Sequence, residues 1–302
     1  MILQPTHIKS AVNEALWYIQ NRNIGKVKSL RTRWDKLNAV CMGGIEPNII
    51  MTIGGISGSG KSTILNQIES DIIELNPNEE VVVLSFNWEM LSFRQVGRKL
   101  SNKLNITTSE LYSSTTRLSD SFIDIIKETA EPIRNQNIYY VDEVGSVTDV
   151  EDTILAFAEE HKGKWIIITL DHTLLTKGRV SENEKTTLSE LSKMFMRIKK
   201  NNKFKKSIIM LSQLNRNIES SDRINNHNMN YPMRSDLFGA DAIFQASDYV
   251  IVAHNPEKLG ISKYGPDLVD CAGKLYFHIL KNREGDELII QFANNLKHNK
   301  IE

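Results

Sequence analysis

Cysteine is almost absent from this 302-residue chain: Cys41 and Cys271 are the only two. Neither lies in a C-x-x-C pair or a Cys/His cluster, which argues against a disulfide scaffold and a structural zinc. Net charge is missing as well. Lys plus Arg number 37 and Asp plus Glu number 37, so no global field draws the chain to nucleic acid or to a membrane surface, and any polyanion site must be local. No apolar run approaches the ~18 residues of a membrane-spanning helix. The opening stretch, MILQPTHIKSAVNEALW, lacks the apolar core of a signal peptide. The seven histidines show no ligand spacing and no G-x-S-x-G occurs, so metalloenzyme and serine-hydrolase chemistry have no support. With 40% apolar and 25% charged residues, the composition is that of a folded chain. The expectation is a cytoplasmic protein with no membrane partner, in the host cell's cytoplasm if it is phage-encoded.

Ile8, Val12, Ala15, Leu16 and Ile19 fall on one face of a helix over 7–22. Asn23, Gly25 and a basic run then break the pattern. Two readings stand side by side: a first helix packed on its own domain, or an arm that docks on a neighbouring subunit. From Asn48 onward, apolar runs of strand length alternate with helix-like stretches: Ile49–Ile53, Val81–Phe86, Ile138–Val141, Trp165–Leu170, Ser207–Leu211, Tyr249–Ala253 and Leu275–Leu280. That alternation predicts an α/β fold with a mainly parallel sheet covered by helices on both faces. The last runs, near 275–280 and 287–292, read as a hairpin joined at Gly285-Asp286. Two long polar segments, 176–187 and 217–232, are of a length that in compact domains is usually functional. Residues 1–28 are expected to form a helix and linker for subunit docking, and 29–302 a single catalytic domain.

Gly55-Ile56-Ser57-Gly58-Ser59-Gly60-Lys61-Ser62 fits G-x-x-x-x-G-K-[ST] throughout, with an apolar strand before it and a helix-like stretch after. Glycines let successive N–H groups turn toward phosphate oxygens, and the helix N-terminus adds partial positive charge. Lys61 then reaches the outer phosphates and the Ser62 hydroxyl ligates Mg²⁺. The nucleotide-contacting residues are therefore expected to be Gly55, Ser57, Gly58, Ser59, Gly60, Lys61, Ser62 and Thr63, with ATP and Mg²⁺ as ligands. Such a site needs an acid at a neighbouring strand end to hold the metal. Asp142, after Ile138–Val141, competes with Asp171, after the longer and more apolar Trp165–Leu170; a buried central strand favours Asp171. Glu89, just past Val81–Phe86, can polarise an attacking water or merely open the next helix as a favourable negative charge.

The ordered set of motifs resembles the hexameric replicative DNA helicases of the DnaB and phage-T7 type, with a RecA-like motor, over roughly residues 29–290. The segments are Thr32-Arg33-Trp34-Asp35-Lys36-Leu37; the phosphate loop; Ser85-Phe86-Asn87-Trp88-Glu89-Met90, similar to S-L-E-M with one residue added; Val141-Asp142-Glu143; Leu170-Asp171-His172; Leu211-Ser212-Gln213-Leu214-Asn215-Arg216, similar to S-Q-L-N-R; Arg234-Ser235-Asp236-Leu237 with Gln245-Ala246-Ser247-Asp248; and Lys281-Asn282-Arg283-Glu284-Gly285, similar to K-[QN]-R-N-G. The resemblance implies that Glu89 is the catalytic base, that Asp171 and not Asp142 serves Mg²⁺, and that Gln213 senses the γ-phosphate. It also implies that Lys281 and Arg283 reach a neighbouring subunit's nucleotide. The departures are the phosphate-loop residues 56–59, the residue inserted before Glu89, Glu284 in place of Asn and Asp286 in place of Pro. Only one helix-like segment precedes the motor, so the expectation is a phage or mobile-element version lacking the N-terminal primase-interacting domain.

The implied activity is ATP-dependent translocation of a homo-oligomeric ring, hexameric in the family, on single-stranded DNA with unwinding of duplex, and a primase or loader as a further partner. Lys177, Arg179, Arg223 and Arg234 are the DNA-contact candidates, because they lie in the polar loops after Asp171 and Gln213 and sequence-neutral translocation needs backbone contacts. The competing readings are a RecA-type recombinase and a nucleotide-binding regulator or loader without unwinding activity.

Overall fold

The computed structural model describes residues 4–171 and 184–302. The chain opens with helix α1 (Ile8–Asn23) and a short α2 (Asp35–Val40). Strand β1 (Ile50–Gly55) then leads into α3 (Lys61–Glu74), and β2 (Val81–Asn87) into α4 (Ser92–Leu104), α5 (Thr108–Leu111) and α6 (Asp120–Arg134). Next come β3 (Ile138–Val141), α7 (Val147–Glu160), β4 (Trp165–Asp171), α8 (Glu184–Lys200) and β5 (Lys205–Gln213). After α9 (Ser221–Ile224) and α10 (Ala240–Ala246), the chain forms β6 (Tyr249–His254), the small hairpin β7 (Lys263–Tyr264) and β8 (Val269–Asp270), then β9 (Lys274–Asn282), β10 (Leu288–Asn295) and β11 (Lys300–Ile301).

Nine strands form one sheet in the order β11-β10-β9-β6-β1-β5-β4-β2-β3. The six from β3 to β6 are parallel, and the hairpin β9–β10 adds an antiparallel flank. β1, β2, β4 and β6 are buried from end to end, which is why they read as unbroken apolar runs: helices cover both faces and no side chain meets water. β3 is the exception. It closes one edge, and Tyr139 is largely exposed.

The two faces hold separate cores. On one, α3 packs Ile64, Leu65, Ile68 and Ile72 against Met51, Ile53, Ile209 and Ile251. Trp34 anchors that layer edge-on to Phe277 at 5.5 Å, and its indole Nε1 donates to the Ile301 carbonyl at 3.0 Å. On the other, α7 and α8 cover Ile50, Val82, Ile166, Ile168 and Ile208.

α1 stands apart from both cores. None of its residues is buried; Ile8 is 70% exposed, Trp17 57% and Ile19 62%. Its tethers are polar: Arg22 donates to Ser29 Oγ and the Met42 carbonyl, and Tyr18 to Glu46. Of the two readings for this helix, packing of its apolar face on its own domain is not what the structure contains. Among the described residues, no helix is long and apolar enough to cross a membrane.

Candidate active site at the strand ends

A cleft of about 320 Å³ opens where the carboxyl ends of β1, β2, β4 and β5 meet the start of α3; Ser57, Gly58, Lys61, Ser62, Glu89 and Gln213 are among the residues that line it. The phosphate loop bends sharply. Gly58 and Gly60 have φ of +72° and +97°, which L side chains rarely adopt. Gly60 also lacks room: a Cβ there would sit 2.8 Å from Leu296 Cδ2. Lys61 Nζ folds back onto the loop, donating to the Gly55 and Ile56 carbonyls at 2.8 and 2.9 Å. Burial lowers its pKa, opposed by the charges of Glu89 and Asp171.

Asp171, the last residue of β4, is buried. Burial and then the Glu89 charge push its carboxyl up to about 6, against the pull of a hydrogen bond from Ser62, Arg98 and Lys61. An aspartate still short of positive charge, bonded to the hydroxyl of the phosphate-loop serine, suits a hydrated divalent cation. Ser59 Oγ, fully enclosed in the loop and without a partner, is a second group fit for a phosphate oxygen. Among the described residues, no cluster of three or more His, Cys, Asp or Glu could hold a metal. A cation here would rest on Ser62 and Asp171 together with phosphate oxygens and water, as Mg²⁺ does in phosphate-loop enzymes.

Asp142 has other work. Both its oxygens accept from the Ser92 N–H at 3.1 Å, so it caps α4 from the edge strand, where a carboxylate is favoured. The residue inserted before Glu89 is accommodated by Trp88, which turns inward and packs edge-on to Phe86 at 5.8 Å, leaving Glu89 facing the cleft. Gln213 ends β5 in register with Gly55.

Three residues at the site escaped the sequence reading. Arg98, on α4, lines the cleft, and its charge acts on Asp171. Its only sequence signal is an arginine nine residues past Glu89 on the inner side of a polar helix. Lys258 lays its ammonium against Gly58 from a short turn, 256–259, and Asn299 reaches the cleft from beyond β10; neither stands near a motif.

The remaining candidates separate. Arg223 is a correction. It is 4% exposed; its two terminal nitrogens donate to the two Asp236 oxygens at 2.9 Å, and Nε donates to the Met229 carbonyl at 2.6 Å. The guanidinium staples its own loop together and, buried there, presents no surface to DNA. Arg234 is more than half exposed, stacks over Phe244 at 4.5 Å and pairs with Asp241 at 3.3 Å. Lys177 and Arg179 lie outside the described residues. Lys281 and Arg283 stand at the other end of the sheet. Lys281 is in register with Val250 at the start of β6, and the Arg283 N–H donates to the Asp248 carbonyl at 3.0 Å. Six residues of β1, about 20 Å of strand, separate that end from the phosphate loop.

Residues 29–302 match the family described as DnaB-like helicase C terminal domain. Among solved structures, the chain is similar to one described as an ATPase domain, at 16% identity and a TM-score of 0.78, covering 96% of this chain and 97% of that one. It is also similar to a DnaB-like replicative helicase solved in a study of its interactions with primase, at 16% identity and a TM-score of 0.80, covering 99% of this chain and 67% of that one. No curated protein matches.

Proposed function

This chain belongs to the DnaB-like helicase C-terminal domain family and is an ATP-dependent replicative DNA helicase; from that premise we propose how its residues share the work. Lys61 and the amides of residues 55–60 hold the phosphates. Ser62 and Asp171 hold Mg²⁺, which when bound neutralises charge on the outer phosphates. Glu89 orients and deprotonates the attacking water, and Gln213 reports the state of the terminal phosphate to the loop that follows it. Arg234 contacts the DNA backbone, with Lys177 and Arg179 as companions. The protein works in the cytoplasm as a ring, six subunits in the family pattern, and a primase or loader is a further partner.

One observation carries the ring reading. Lys281 and Arg283 lie a whole strand length from their own phosphate loop, at the opposite end of β1. Neither can serve the site of its own subunit, so both act, in this proposal, on the nucleotide of a neighbour. A trans arginine raises phosphoryl-transfer rates by ~10³–10⁵ in well-studied cases and makes hydrolysis depend on assembly. α1, with its apolar face exposed, is the docking arm, and residues 1–28 are a unit distinct from the motor.

The test is ATP hydrolysis with and without single-stranded DNA, at protein concentrations spanning assembly, for wild type and Arg283→Ala. Stimulation by DNA, and its loss in the variant at unchanged ATP binding, is the expected result. Turnover indifferent to DNA, to concentration and to Arg283 would sink the ring motor and favour a nucleotide-binding regulator.

A further inference from the structure

We infer that Asp248 is the positioning residue for the trans-acting arginine: its buried carboxylate clasps Arg283 and Lys199 together and sets the guanidinium in the pose it offers to the neighbouring subunit. The inference rests on the reading that Arg283 acts in trans.

The geometry is specific. Asp248 sits in the turn between α10 and β6, and its side chain is 6% exposed. Oδ1 lies 2.8 Å from Arg283 Nε in an ion pair. Both oxygens accept from Lys199 Nζ at 2.6 Å. Oδ2 also accepts from the Ile50 N–H at 2.8 Å. The backbone repeats the tie, since the Arg283 N–H donates to the Asp248 carbonyl at 3.0 Å and the Asp248 N–H donates to the Ile50 carbonyl at 2.8 Å. One carboxylate thus joins β1, the last turn of α8 and the end of β9.

Two consequences follow from chemistry. Nε is the arginine atom that the ion pair with Asp248 brings nearest to the carboxylate. The terminal nitrogens have no other partner among the described residues, and the side chain is 49% exposed, so the forked edge that matches a phosphate is the edge left outward. The charge is also unbalanced. Lys199 and Arg283 contact Asp248, and Lys281 lies within reach of its charge; Arg234, whose charge also acts on Lys281, is paired with Asp241. Three cations against one carboxylate leave a net positive cluster, with Lys281 held by its bond to the Phe244 carbonyl. Without Asp248, Lys199 and Arg283 would repel each other and the guanidinium would lose its fixed end.

The test is complementation in mixed rings, read as DNA-stimulated ATP hydrolysis with oligo-dT. Asp248→Asn alone lowers kcat by about tenfold to a hundredfold, the scale of a misplaced catalytic group, with KM for ATP little changed. Rings co-assembled from Asp248→Asn and Lys61→Ala subunits recover activity above the sum of the two alone, because an intact site receives an intact clasp. Rings of Asp248→Asn with Arg283→Ala recover none, because every site is served by a defective neighbour. The reverse pattern, recovery with Arg283→Ala and none with Lys61→Ala, overturns the proposal, for Asp248 would then act within its own site. If Arg283→Ala is not itself rescued by Lys61→Ala, the trans-arginine reading fails instead. Should Asp248→Asn not assemble, Lys199→Met leaves the Ile50 and Arg283 contacts in place and must show the same trans pattern with a smaller loss.

Discussion

At the scale of single residues, the site works against the stability of the protein that carries it. The Asp171 carboxyl is raised from its ordinary 3.8 to about 6, chiefly by burial. A raised carboxylate binds its proton more tightly folded than unfolded, so its contribution worsens as pH climbs from 4 to 6 and stays unfavourable above. Asp171→Asn is therefore expected to stabilise the nucleotide-free protein by roughly 1–3 kcal/mol near pH 7, seen as a higher melting temperature, while abolishing Mg²⁺-dependent turnover. A variant that melts no higher would show that the apo site does not strain the fold. Lys258 offers a second case. Its ammonium rests on Gly58, and an exposed charge contact is worth about 1 kcal/mol. Lys258→Ala should raise KM for ATP by about fivefold and leave kcat nearly intact; steady-state kinetics decides it.

At the scale of elements, the phosphate-loop helix is held to α4 and the sheet by a buried ion pair. Glu69 on α3 accepts from Ser85 at 2.7 Å and Thr169 at 2.9 Å, and Lys99 on α4 approaches it at 3.4 Å. Both charges are almost fully buried. Removing Glu69 takes the counter-charge from a buried lysine, leaving it the Asn66 carbonyl and the Ser70 hydroxyl, and takes the acceptor from the Thr169 hydroxyl, so Glu69→Ala should cost about 3–5 kcal/mol in denaturant unfolding. Lys99→Met should cost less, because the two hydroxyls still satisfy the carboxylate. Equal losses would mean that the pair acts only as a unit. Truncating α1, with a chain starting near Lys26, is expected to leave the melting transition in place and abolish rings in sedimentation; rings that persist would end the docking-arm proposal. The sheet itself was legible, since each buried strand is a continuous apolar run, and β3 was found although it closes an edge. The placement of the phosphate loop between a buried strand and a helix was legible too, as was that of Asp171 at the end of a buried central strand. Arg98 and Lys258 were not: each comes to the cleft by tertiary packing of a polar stretch, and spacing carries no record of that. Arg223 was misread for the same reason. A buried arginine and a DNA-contacting one are the same letter in the same polar loop, and only Asp236, thirteen residues on, tells them apart.

At the scale of the whole molecule, acid acts through two histidines. His254 and His278 are buried together among tyrosines, and burial pushes each down to about 3. Both stay neutral when folded and take a proton when unfolded, so their contribution is complete above pH 6.5 and is lost as pH falls below it. By pH 5 that is about 2 kcal/mol for each, against about 1 kcal/mol returned by Asp171. The protein should therefore weaken steadily below pH 6.5, and His254→Gln should flatten the melting-temperature profile between pH 7 and 5; an unchanged slope would place the sensitivity elsewhere. The wall of the nucleotide cleft has a different consequence. Leu296 and Asn299 line it, Trp34 bonds to the Ile301 carbonyl, and the Ile301 N–H donates to Gln67 on the phosphate-loop helix. Almost the entire sequence separates Trp34 from Ile301. During synthesis the phosphate loop leaves the ribosome early, yet its pocket lacks a side until residues 296–301 emerge. A partly made chain thus carries a cleft open on one side, and its lining closes only when residues 296–301 fold back against the phosphate-loop helix.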